Sequence, residues 1–154
     1  MGFLQATDTI SGQEGKAFAV INGRIEEMFY IKKLEATVEK KKSEVKTLGK
    51  RATQHKAIGW NGTGSMTIYY ITSLFREMML DYINTGKDVY FDIQIVNEDP
   101  ASSIGKQTVK LHGVNLDKVI MASLDVGSEG LEEEISFTFE DVVILDTFKA
   151  PTVQ

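Results

Sequence analysis

The chain has no cysteine among its 154 residues. That absence excludes disulfide scaffolds, thiolate metal sites and cysteine nucleophiles together. Histidine is almost as scarce: only His55 and His112 occur, and neither has a partner at metal-ligand spacing. Each reads as a surface or strand-edge residue, so no metal and no cofactor is expected. Two prolines stand against thirteen glycines, which suits tight turns between strands rather than a Pro-rich linker. No apolar run approaches the ~20 residues that a membrane helix needs. The first seven residues lack a basic stretch followed by an apolar one, so no signal peptide is expected. Ala6 also breaks the myristoylation pattern. Positive charge is short as well, with 17 Lys and Arg against 22 Asp and Glu and a net charge of −5. A phosphate-backbone binder needs a basic face, so no specific nucleic-acid binding is expected. What remains, at 42% hydrophobic and 25% charged residues, has the proportions of one globular domain made in a reducing compartment.

Residues 1–15 show no periodicity and are expected to be a flexible arm, with a single domain over 16–148 and a short tail over 149–154. Asn22-Gly23 between two apolar runs is a strong hairpin signal, since both residues tolerate positive φ. Over 33–40, Leu34, Ala36 and Val38 alternate with Glu35, Thr37 and Glu39 as in a strand, although a helix through Ile31, Leu34, Val38 and Val45 also fits. Residues 40–44 read as a solvated strand end or loop, and 46–55 as a long loop. The clearest period-2 segment is 58–70, where Gly62 and Gly64 fall on the face of Trp60, Met66 and Ile68. One helix is expected after Thr72 or Ser73, docking through Phe75, Met79 and Ile83 and closed by Gly86. Strands follow at 89–95, 106–116, 117–124 and 134–140. About seven strands and one helix define a mainly β (α+β) chain, a sandwich or barrel flanked by the helix.

No catalytic constellation emerges, so no enzyme is expected. Residues 59–65 resemble a phosphate loop only briefly, because no lysine follows and a strand rather than a helix comes next. No serine sits in a G-x-S-x-G elbow, and the adjacent acids Glu98 and Asp99 lack the spacing of a calcium loop. One charge feature stands out. Lys40, Lys41, Lys42, Lys46, Lys50, Arg51 and Lys56 form a basic stretch in an acidic chain, without the aromatics of a nucleic-acid site. Charge complementarity with an acidic surface, including one on another copy, accounts for it better. The candidate interface is therefore Lys41, Lys42, Lys46, Lys50 and Arg51 facing Glu132, Glu133 and Glu134 of another subunit.

The order of these segments resembles a known family. The run from Ala19 to Arg24, then 34–40 and 45–51, Gly59 to Thr67, the helix ending at Asn84-Thr85-Gly86, and 131–141 are similar to tail tube (tail core) proteins of contractile phage tails. The likeness is closest to those of PBSX-type defective prophages and phage-tail-like bacteriocins, and it spans roughly 12–148. The resemblance implies a β-sandwich or barrel that assembles as hexameric rings stacked into a tube. It further implies sheath, baseplate and tape-measure proteins as partners, synthesis in the bacterial host cytoplasm, and incorporation into a virion or phage-like particle. A long loop near residues 40–56 would reach a neighbouring ring. A monomeric β-sandwich binding module, stacking a ligand on Trp60 with Tyr69 or Tyr70, is the alternative; the two tyrosines point to opposite faces, which weakens it.

Overall fold

The computed structural model describes residues 15–149 except Phe29 and Ser128. Most of the expected arm and tail therefore lies outside the described residues. The elements are β1 (Gly15–Ile21), β2 (Arg24–Glu27), β3 (Ile31–Val45), β4 (Gln54–Tyr69), α1 (Leu74–Thr85), β5 (Phe91–Glu98), β6 (Lys106–Lys118), β7 (Glu132–Phe139) and β8 (Asp141–Asp146). The strands pair antiparallel in the order β2-β1-β5-β6-β7-β4-β3, with β8 also on β6. This is the mainly β fold with one helix that the sequence predicts.

The turn at Asn22-Gly23 forms as expected, with φ of 51° and 81°. Alternation then fills the core: Ala19 of β1, Ile93 of β5 and Leu111 of β6 lie in one cross-strand row, all fully buried. Ile135, Phe137 and Phe139 of β7 and Met66 and Ile68 of β4 supply the other wall. The strand β6 changes partner at Gly113, whose φ is 66°. Residues before it pair with β8, and those from Asn115 pair with β7. The Glu140 N–H donates to the His112 carbonyl at 2.9 Å and pins the bend.

Gly62 and Gly64 do have a packing role. A Cβ on either would run into the ring of Phe139 or Phe137, and at Gly64 also into the Glu35 carbonyl at 2.8 Å. The missing side chains let the β7 aromatics lie against the β4 backbone. Gly64→Ala is expected to lower stability by about 1–3 kcal/mol, as overpacking does. An unchanged urea midpoint would contradict this.

Several expectations need correction. Residues 40–44, read as a strand end or loop, are the end of β3; 54–55, expected as loop, belong to β4, and 46–53 connect the two strands. The helix alternative for β3 is excluded by its ladder to β4, which runs from Ile31↔Ile68 to Val45↔Gln54. The strand expected over 117–124 ends at Lys118, and β8 lies where none was expected. The helix docks through Phe75 and Met78 with Leu74 alongside, whereas Ile83 is 62% exposed. Its last turn stands clear of the core.

Candidate subunit interface

The strand β4 pairs with β7 only over Gly62–Tyr69. Before Gly62, among the described residues, it pairs with β3 alone. Residues 39–45 and 54–61 thus form a two-stranded ribbon, exposed on both faces. It projects roughly 23 Å, at about 3.3 Å per residue. An isolated two-stranded ribbon is marginal in water. Such an extension needs a partner to hold it.

Between Glu39 and Asn61, seven basic residues stand against two acidic ones, a local charge of +5 that leaves −10 on the rest of the chain. Lys41, Lys42, Lys46, Lys50 and Arg51 all lie on this ribbon or its turn. Among the described residues none of them has an ion pair. Leu48, in the same turn, is fully exposed.

The acidic half of the predicted interface is placed differently. Glu132 accepts a hydrogen bond from Lys32 Nζ at 2.7 Å, and that bond raises the lysine pKa. Glu133 is buried, its side chain 1% exposed, and its Oε2 is 2.7 Å from Arg76 Nη1. Burial pushes the Glu133 carboxyl above its ordinary range, with the Arg76 charge and hydrogen bond opposing. Its Oε1 has no hydrogen-bond partner among the described residues. Arg76 also donates to the Thr72 carbonyl and lies 4.2 Å from the centre of the Tyr70 ring. Glu133 therefore joins β7 to α1 within one subunit and is closed to another. Only Glu134 stays exposed and unpaired by salt bridges among the described residues. The signal was in the sequence: Glu133 shares the odd-numbered parity of Ile135, Phe137 and Phe139.

No ligand platform forms from Trp60, Tyr69 and Tyr70. Trp60 tilts against Phe139 with ring centres 6.2 Å apart. It sits nine residues, roughly 30 Å of strand, from Tyr69, and Arg76 covers Tyr70. What sequence reasoning missed is the open edge of β8. Among the described residues it pairs only with β6, and Ile144 and Leu145 beside that edge are more than half exposed. A lone apolar run, Val142 to Leu145, was its signal. Exposed strand edges are bonding surfaces between chains.

His112 Nδ1 is 3.3 Å from Asp92 Oδ1, and Lys110 shares that carboxylate at 3.8 Å. Burial and the nearby Glu26 push the Tyr30 hydroxyl up to about 12, so it stays neutral. No group of three or more metal-ligating side chains occurs among the described residues. No helix among them is long and apolar enough to cross a membrane.

An antiparallel β domain with open strand edges and a projecting charged ribbon is a building block, a protein defined by its contacts with other chains. The model of the family described as phage tail tube protein matches residues 2–146, and the chain belongs to that family. It is 52% identical over 138 residues to the phage-like element PBSX protein XkdM of Bacillus subtilis (strain 168), covering 90% of this chain and 91% of that one. The fold is shared with a protein in the anti-feeding prophage baseplate (TM-score 0.68, 16% identity, 92% and 97% of the two chains). It is shared too with one in the sheath–tube complex of the PVC extracellular contractile injection system (TM-score 0.62, 15% identity, 88% and 90%). The protein is a structural subunit of a phage tail tube, a component of an assembled particle.

Proposed function

We propose that six copies form a ring, that rings stack into the inner tube of a contractile particle, and that the chain has a structural role with no catalytic one. Synthesis in the host cytoplasm precedes assembly, and sheath, baseplate and tape-measure proteins are the neighbours. The observation that carries this reading is the ribbon: long, two-sided, cationic and unpaired within its own subunit. The six-fold symmetrised baseplate, in which one protein shares this fold, supports the ring size. The sheath–tube complex, which holds another, supports a contractile setting.

Negative-stain microscopy of the purified chain at high concentration tests it. Six-lobed rings and hollow tubes are expected; a population of monomers alone at every concentration contradicts the reading. Trypsin supplies a second measurement. Lys46, Lys50 and Arg51 in the 46–53 connection are the expected first cuts in the free subunit. The same bonds are expected to survive in tubes. Equal cleavage in both states would mean that the ribbon stays uncovered on assembly.

A further inference from the structure

A groove of about 300 Å³ runs between α1 and the β1–β2 turn. Its apolar wall includes Ile21, Leu74 and Val89, and three carboxylates, Glu26, Glu77 and Asp81, stand around it with one cation, Arg24. Among the described residues none of these carboxylates is ion-paired. The 46–53 connection offers the matching shape and charge: a fully exposed leucine, Leu48, flanked by Lys46, Lys50 and Arg51. Three cations without ion pairs around an apolar knob answer a hollow whose rim carries three carboxylates against one arginine. We propose that this groove is the receptor for the β3–β4 tip of a second copy of the chain, with Leu48 on the apolar wall. The proposal rests on the tube-subunit reading and names the receiving surface.

A subunit cannot fill its own groove. The β3–β4 ladder is continuous apart from two irregularities, at Ile31/Lys33 and Lys41/Lys42. It carries the tip roughly 46 Å from Ile31, and roughly 23 Å beyond Glu39, where the ribbon leaves the body, at about 3.3 Å per residue. Tip and groove are different patches, so the contact is heterologous. Such contacts close into rings or extend without limit. The charges add register to the contact, because a tip shifted along the groove places lysines away from carboxylates.

The test compares four full-length chains: the unaltered protein, a groove variant (Glu77→Lys with Asp81→Lys), a tip variant (Lys46→Glu, Lys50→Glu and Arg51→Glu), and a chain carrying both sets. All substituted positions are exposed. Circular dichroism checks folding, and light scattering with microscopy follows growth. The groove and tip variants are expected to fold and to lose tube growth through like-charge contact. The doubly altered chain, with its charges exchanged, is expected to recover growth. A folded groove variant that grows at the unaltered rate overturns the proposal, as does failure of the exchanged chain to recover. Because the chain has no cysteine, a Leu48→Cys, Asp81→Cys chain gives an independent measurement. Oxidised tubes of that chain are expected to yield a ladder of disulfide-linked oligomers. Tubes without a ladder overturn the groove as receptor and leave the tube reading standing. An unaltered protein that forms neither rings nor tubes overturns that reading, and the docking with it.

Discussion

Arg76→Met is expected to cost about 3–5 kcal/mol at neutral pH, the usual penalty for stranding one member of a buried ion pair. Arg76 is the salt-bridge partner of the Glu133 carboxylate, and one oxygen of that group already lacks a hydrogen bond among the described residues. The pH dependence follows from the direction of the carboxyl shift. Burial holds the folded pKa of Glu133 above its ordinary value, and removing the opposing arginine raises it further. A carboxyl whose folded pKa exceeds its unfolded value, about 4.3, favours the protonated fold. The contribution of this group to stability is therefore greatest in acid and is lost as pH rises from the unfolded to the folded value. The deficit of Arg76→Met relative to the unaltered chain should shrink between pH 7.5 and pH 4.5, measured by urea unfolding. An equal deficit at both values would show that Arg76 acts through packing alone. Adding Glu133→Leu should recover much of the loss at pH 7.5, because no uncompensated charge then remains inside.

Phe75→Ala is expected to cost about 3–5 kcal/mol, as truncation of a buried aromatic does. The ring is 1% exposed and packs against Phe91 with centres 6.4 Å apart. Ile83→Ala, two turns along the same helix, should stay within about 0.5 kcal/mol, as surface substitutions do. Comparable losses at the two sites would mean that the last turn of α1 packs down. The contrast separates a helix docked along its length from one held near its beginning, where Arg76 ties it to Glu133.

The spacing of apolar residues on α1 pointed to docking through Phe75, Met79 and Ile83, whereas the buried residues are Phe75 and Met78. Periodicity tells which residues share a face, not how far along the helix the neighbouring sheet extends. The strands with one buried face were legible for the same reason: Met66 and Ile68, and Ile135, Phe137 and Phe139, alternate because water lies on one side only. The outer part of the ribbon was not legible. Residues 41–45 and 54–57 have no buried face within the subunit, so no alternation marks them as strand. The basic cluster was legible from charge, which does not depend on periodicity; its part in an interface is the proposal made above. The acidic half went astray because Glu132, Glu133 and Glu134 were read as one charge cluster, while the pleat sends the middle residue inward.

The ladder between β4 and β7 has a mechanical consequence. A tug on the ribbon tip runs along β4 into Gly62–Tyr69, where the strand is bonded to Glu132–Phe139 of β7. Ladder hydrogen bonds lie across the strand direction, so this load shears eight residue pairs together rather than peeling them one after another. Phe137 and Phe139, seated against the bare backbone of Gly64 and Gly62, oppose the same sliding as teeth do in a rack. With the ribbon docked on a neighbouring copy as proposed above, tension between copies is delivered to the best-buried strand of the domain.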